Sequence, residues 1–174
     1  ASRRCPRTLP ARRGTPPPWR LVAHRCPAHK HAVPKLFDTE LRALRRDRAA
    51  RIGPELFLYE RAFADLLDRI SLLRRHFQHC LLIGCSDPHW PERLVQASNE
   101  VTVHDPGPLF AAASGGQIIV EDYWDPPAAA YDLVVAVGTL DSVNDLPLAL
   151  RLIRHAMIGD GLFIGALSGG NTLP

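Results

Sequence analysis

Small and acidic residues follow three apolar segments of the chain, and their chemistry suits the binding of a nucleoside. Gly84 follows the first segment, Asp105 the second, and the acidic and aromatic stretch 121–125 the third. A glycine allows the backbone to turn tightly, and an acidic side chain about 20 residues further on can accept hydrogen bonds from a ribose diol. A carboxylate within 121–125 can accept the exocyclic amine of an adenine beside a flat aromatic ring. These residues predict a nucleoside site.

The predicted elements would bring these three positions to one edge of a sheet. Short helical segments separate apolar runs that are continuous rather than alternating, which is typical of strands buried on both faces. Strands that alternate with helices form parallel βαβ units, and ligands bind at the carboxyl ends of such strands. The sequence therefore predicts a doubly wound α/β sheet. The predicted strands are 80–83, 101–104, 118–120, 133–137 and 162–166, the predicted helices 91–98, 109–114 and 145–157, and the last turn 159–161.

The segment before the first strand predicts two helices. Asp38 is suited to cap the first helix, and Gly53 and Pro54 would end it. Its apolar face would comprise Phe37, Leu41, Leu44 and Ile52. The second helix has apolar residues at alternating steps of three and four from Leu56 to Phe77. This spacing predicts a continuous amphipathic helix of about six turns that lies on the sheet.

The first 34 residues differ in composition from the rest of the chain. They contain eight Arg or Lys, seven prolines and no acidic residue, which leaves a net charge of −5 on the remainder. Prolines exclude a helix or central strand here, so we predict a disordered basic tail, with weak contact to phosphates as the alternative. The acidic remainder disfavours a nucleic-acid-binding protein. The sequence has no apolar run of about 18 residues, so we predict no membrane span.

The cysteines do not form a metal-binding pattern. Cys80 and Cys85 flank an apolar run and are predicted to be buried thiols. Cys26 lies near several histidines, but it belongs to no pair of CxxC units and its segment is rich in proline. We expect no metal site.

Three stretches of the sequence resemble a known family. They are 36–38 with the arginine-rich helix after it, 131–147, and 160–173. Over roughly residues 35–174 the chain resembles the class I S-adenosylmethionine-dependent methyltransferases (methyltransferase type 11-like). Within them it is similar to the branch of bacterial relatives of the mitochondrial complex I assembly-factor methyltransferase-like protein.

The resemblance implies a fold, a cofactor and residues that bind it. The fold is a Rossmann-like, mostly parallel sheet in the strand order 3-2-1-4-5. The cofactor is S-adenosylmethionine, and the residues that would bind it are Gly84, Ser86, Asp105 and Asp122. The methyl acceptor is a small molecule or a protein that the sequence does not identify. We assign no catalytic residue, because the sulfonium is intrinsically reactive and the protein mainly aligns the acceptor with it.

The chain departs from the family's first-strand motif, acidic-Leu-Gly-x-Gly-x-Gly. Leu82 stands at the acidic position, and Ser86 and Pro88 stand at the second and third glycines. Asp141 and Ser142 replace a frequent His-Trp pair. These departures leave open the alternative that the chain is a catalytically inactive binding or assembly module, related to the assembly of respiratory complex I. Arginine hydroxylation, with which the assembly factor is associated, is a third outcome, and a nicotinamide oxidoreductase is disfavoured because no GxxG spacing follows the first glycine.

We divide the chain into the tail 1–34, a helical segment 35–79 and a methyltransferase-like domain 80–174. The family's sheet continues past the fifth strand with an antiparallel pair. We therefore expect a fragment truncated before the last two strands, or a partner chain or the N-terminal helices on the edge of the fifth strand. The resemblance implies a cytoplasmic location in a bacterium and a mitochondrial one in a eukaryote.

Overall fold

The computed structural model describes residues 35–169. The predicted basic tail, 1–34, lies outside the described residues. The five strands form one parallel sheet in the order β3-β2-β1-β4-β5, which confirms the predicted fold. The elements in chain order are α1 Thr39–Ile52, α2 Phe57–Ser71, β1 Phe77–Ile83, α3 Trp90–Leu94, β2 Ser98–Asp105, α4 Pro108–Ala113, β3 Gln117–Ile118, β4 Tyr131–Val137, the 3₁₀ turn Leu140–Ser142, α5 Leu146–Ala156 and β5 Met157–Ala166.

Two apolar layers cover the faces of the sheet. The first layer packs α2 and α3 on one face, and Phe63 stacks on Trp90 there with ring centroids 4.5 Å apart. The second layer packs α5 on the other face through Ala149 and Ile153. Because both faces are covered, every residue of β4 is buried, as expected for a central parallel strand. The predicted thiols of Cys80 and Cys85 are confirmed as buried.

Helix α2 is shorter than predicted. It ends at Ser71 after about four turns, and Phe77 is the first residue of β1 instead of the end of the helical stripe. Phe77 is fully buried in the same apolar layer as Phe63. The spacing misled the prediction because a strand residue and a helix residue can fill one core layer.

Helix α1 has the predicted cap but not the predicted buried face. The carboxylate of Asp38 accepts the N–H of Leu41 at 3.0 Å, which confirms the N-cap. Leu41, Leu44 and Ile52 are 42, 63 and 75% exposed, so the predicted apolar face is wrong. Instead, Arg42 and Arg46 turn toward the sheet. The orientation of α1 is set by ion pairs, which the apolar pattern does not reveal.

Strand β5 contains the residues predicted to form a turn. Its pairing with β4 shifts register between Tyr131 and Leu133, and 159–161 lie within the strand. The turn prediction was wrong because this irregular register accommodates the two glycines without ending the strand. Among residues 35–169, no strand pairs with the outer edge of β5. No helix in the same range is long and apolar enough to cross a bilayer.

Candidate functional site

Gly84 forms a tight turn at the end of β1. Its φ is +83°, in the left-handed region that favours glycine. A Cβ at this position would overlap the carbonyl oxygen of Val137 and the methyl group of Thr139. The end of β1 therefore lies against the end of β4 so closely that only a hydrogen fits between them.

Asp105 ends β2 and connects two of the loops at this edge. Asp105 is fully buried, and its carboxylate accepts hydrogen bonds from the N–H of Cys85 at 2.7 Å and the N–H of Gly107 at 2.6 Å. The same carboxylate accepts two hydrogen bonds from Arg46, from Nε at 3.0 Å and from Nη2 at 2.6 Å. Four accepted hydrogen bonds use the lone-pair sites that two carboxylate oxygens offer.

A second ion pair lies at the loop after β3. Glu121 is 2% exposed and accepts hydrogen bonds from both terminal nitrogens of Arg42, at 2.8 and 2.7 Å. Arg42 also donates to the carbonyl oxygen of Thr139 at 2.8 Å. The pair therefore links α1 to the loops after β3 and β4. Within 121–125, the sequence favoured Asp122, but Glu121 is the acid that meets the arginine.

The other predicted site residues lie along the same loops. Ser86 is buried, and its Oγ lies 3.3 Å from Nη2 of Arg46, which brings it beside Asp105. Asp122 is also buried, but its carboxylate accepts the N–H of Asp145 at 3.0 Å, at the start of α5. Gly84, Ser86 and Asp105 therefore converge, while Asp122 joins the loop after β3 to α5.

The two motif departures on either side of Gly84 do not fill this edge. Leu82 is fully buried in the apolar layer beneath α2, and Pro88 is exposed. The side chain at the motif's acidic position is therefore part of the core. An acidic group there would lack a partner in that layer, so the leucine suits the packing of this chain.

The sequence did not indicate the roles of Arg42 and Arg46. They are four residues apart and share one face of α1, with side chains only 12 and 15% exposed. The guanidinium of Arg46 also lies over the ring of Phe110, 5.1 Å from its centroid. Helix α1 contains five arginines, so their spacing alone does not show which of them meet buried acids.

Three buried polar atoms near this edge have no hydrogen-bond partner within residues 35–169: Thr139 Oγ1, His104 Nδ1 and Trp124 Nε1. Thr139 is fully buried beside Gly84 and turns its methyl group toward that glycine, while its hydroxyl has no partner among these residues. The rings of His104 and Trp124 meet edge to face at 5.2 Å and line a cavity of about 560 Å³ next to the loop after β3. The structure thus has unsatisfied polar groups where a polar ligand could bind.

Burial lowers the pKa of His104. The unfolded chain then binds the proton more readily than the folded chain, so the free energy of unfolding falls as pH drops below the unfolded value of about 6.5. The fall continues down to the folded pKa, with a slope of at most about 1.4 kcal/mol per pH unit. Urea denaturation of the wild type and His104→Gln across this range measures the difference. Equal slopes for the two proteins would contradict this prediction.

No family model matches the sequence. The mitochondrial arginine-hydroxylase NDUFAF5 of Rattus norvegicus is 30% identical over 156 residues, and that of Homo sapiens is 31% identical over 157 residues. Each match covers 79% of this chain and 43% of the relative. The chain therefore spans less than half the length of these curated relatives.

Two solved structures share the architecture. The N-methyltransferase NodS from Bradyrhizobium japonicum, in complex with S-adenosylhomocysteine, aligns with a TM-score of 0.59 and 20% identity over 74% of this chain and 72% of NodS. The 1,6-didemethyltoxoflavin-N1-methyltransferase from Burkholderia thailandensis aligns with a TM-score of 0.55 and 17% identity over 76% of this chain and 64% of that enzyme. This chain has the class I methyltransferase fold.

In the methyltransferase fold of this chain, the loops after β1 and β2 meet at the carboxyl edge of the sheet, where ligands of doubly wound sheets bind. Asp105 joins these loops through the N–H groups of Cys85 and Gly107. The residue types fit a nucleoside: a glycine turn, a buried carboxylate and an unpaired hydroxyl. The carboxylate itself can accept hydrogen bonds from a ligand only when Arg46 leaves it.

Proposed function

We propose that this chain binds S-adenosylmethionine at the carboxyl edge of its sheet and transfers the methyl group to an acceptor, a small molecule or a protein. The observation that carries this proposal is the position of Asp105. It is fully buried at the end of β2 and bonded to the loop that follows Gly84, at the place where the methyltransferase fold binds a ligand.

Each residue of the edge has a separate role in this proposal. Gly84 provides the tight turn at the end of β1 that begins the cofactor-binding loop, and Asp105 accepts hydrogen bonds from the ribose diol. Thr139 offers its unpaired hydroxyl, and Asp122 holds the loop after β3 against α5, beside the adenine. The ammonium of the cofactor lacks a carboxylate partner, since Leu82 belongs to the core.

The cofactor supplies a methyl group already activated on a sulfonium. The protein therefore contributes mainly by aligning the acceptor and excluding water. Helix α1 lies over the carboxyl edge through Arg42 and Arg46. Tyr59 of α2 occupies the space beside Gly138 at the end of β4, where a Cβ would overlap its ring. These two helices cover the edge before a ligand binds.

A second candidate function is suggested by the ion pairs at this edge. Glu121 binds a guanidinium through two parallel hydrogen bonds, which is the geometry that recognises arginine. The curated relatives are named arginine-hydroxylases, so a protein arginine is the candidate substrate of such an activity.

An inactive assembly module is the third possibility, favoured by the complete occupation of the Asp105 carboxylate. For either protein-directed function we propose a partner chain on the outer edge of β5, with a mitochondrial location in a eukaryote and a cytoplasmic one in a bacterium.

Calorimetric titration with S-adenosylhomocysteine tests cofactor binding, with a nicotinamide dinucleotide as the control ligand. We expect submillimolar binding that Asp105→Asn weakens by about tenfold or more, because a hydrogen bond to a charged acceptor is lost. Asp65→Asn is the matched control, since Asp65 is exposed and pairs with Arg69 on the same helix. If neither the folded protein nor its Arg46→Ala variant binds, the proposed function is wrong.

A further inference from the structure

We propose that α1 is an internal cap on the cofactor site, and that docking of α1 and binding of the adenosyl group exclude each other. Arg46 and Arg42 of this helix occupy the carboxylates of Asp105 and Glu121. This inference rests on the proposed function, because it assumes that the ribose binds at Asp105. It adds a conformational step that must precede that binding.

Arg46 occupies the carboxylate of Asp105. Its two oxygens accept four hydrogen bonds, two from backbone N–H groups and two from Arg46. The backbone donors belong to the loops that form the site and remain in place. A ribose diol therefore gains its two hydrogen bonds only by replacing those of Arg46. The exchange leaves the carboxylate with the same number of donors, although the neutral diol does not replace the positive charge of Arg46.

Helix α1 has a second attachment on the same face. Arg42 binds Glu121 and the carbonyl oxygen of Thr139, and the hydroxyl of Thr139 remains unpaired beneath it. Nη2 of Arg46 also reaches Ser86. The arginines thus contact the loops after β1, β2, β3 and β4 at once. Release of α1 as a unit would open all of these loops.

Helix α1 is docked with little apolar burial. Among the residues of α1 only Asp47 is buried, and its carboxylate accepts a hydrogen bond from the N–H of Leu109 at 2.9 Å. At the start of the helix, Phe37 and Asn144 exchange two hydrogen bonds at 2.8 and 3.0 Å, both exposed to solvent. An element with few buried apolar contacts and exposed hydrogen bonds belongs to the least stable part of a fold.

Helix α2 provides the contrast. It buries Phe63, Leu66 and Ile70 in the core layer beneath it, whereas the apolar residues of α1 point away from the sheet. Detachment of α1 therefore removes ion pairs and uncovers the ring of Phe110 but leaves both apolar layers of the sheet closed, while detachment of α2 would expose the core. The cap can move without unfolding the sheet.

Binding of S-adenosylhomocysteine to the full chain and its variants, measured by calorimetry, tests the cap. Arg46→Ala should bind more tightly than the wild type, by a factor within the roughly 5- to 150-fold range typical of coupled equilibria. Arg46→Lys, which keeps the charge but cannot form the two-pronged pair, should fall between them. Arg45→Ala is the matched control, because Arg45 is an exposed arginine of the same helix. Circular dichroism verifies that each variant is folded.

Hydrogen exchange provides a second readout that does not depend on affinity. Addition of S-adenosylhomocysteine to the wild type should accelerate the exchange of amides in α1 while those of α2 stay protected. The proposal that α1 is a cap is wrong if the ligand instead protects α1, or if Arg46→Ala and Arg46→Lys bind no more tightly than the wild type. Either result leaves the proposal of cofactor binding intact. If no protein in the series binds the ligand, the proposed function fails and the cap with it.

Discussion

Gly84→Ala is expected to lower the free energy of unfolding by about 2–5 kcal/mol and to abolish binding of S-adenosylhomocysteine. The left-handed backbone costs a residue with a Cβ about 1–2 kcal/mol. The new methyl group must also displace the backbone of Val137 and the side chain of Thr139. Such overpacking lowers the free energy of unfolding by about a further 1–3 kcal/mol. Urea denaturation measures the first effect and calorimetry the second.

Gly53→Ala is the matched control for this prediction. Gly53 has nearly the same φ, +82°, but nothing lies within 4 Å of the position that its Cβ would take. We expect a loss of about 1–2 kcal/mol from the backbone conformation alone. Equal losses at the two positions would show that the close approach of β1 and β4 contributes nothing to stability.

Phe63→Ala is expected to cost about 3–5 kcal/mol of unfolding free energy, the range for removal of a buried aromatic side chain. Phe63 is fully buried, stacks on Trp90 and lies beneath the guanidinium of Arg93, 5.0 Å from the ring centroid. The cavity would form between α2, α3 and the sheet, because these elements share one apolar layer. Urea denaturation followed by far-ultraviolet circular dichroism measures the loss.

Phe57→Ala serves as the control on the same helix. Phe57 is 72% exposed, so its replacement should change the free energy of unfolding by no more than about 0.5 kcal/mol. If Phe63→Ala costs no more than this control, α2 is not anchored through the stacked aromatic pair.

The parallel strands could be predicted because continuous apolar runs mark them, whereas their order was implied by the family resemblance. The runs at 80–83 and 133–137 are central in the sheet and buried on both faces. Helix α5 was also predictable, since its apolar residues keep helical spacing and Asp145 caps it through the N–H of Leu148 at 2.8 Å. In these elements, local pattern and tertiary packing agree.

The orientation of α1 could not be predicted, because its partners are distant in sequence. Arg46 and Asp105 are separated by 59 residues, and Arg42 and Glu121 by 79. The apolar residues of α1 suggested a buried face, but Arg42 and Arg46 face the sheet instead and pair with its buried carboxylates. The spacing of apolar residues indicates which helix face is buried by apolar contacts, but it does not indicate which charged side chains form ion pairs.

The attachment of α1 also affects how its detachment depends on temperature. Exposure of apolar surface raises the heat capacity, and exposure of polar surface lowers it. Helix α1 is held through Arg42, Arg46 and Asp47, so its release exposes mainly polar groups and changes the heat capacity little. Its free energy of release should therefore vary almost linearly with temperature, while the curve for unfolding of the whole sheet is domed.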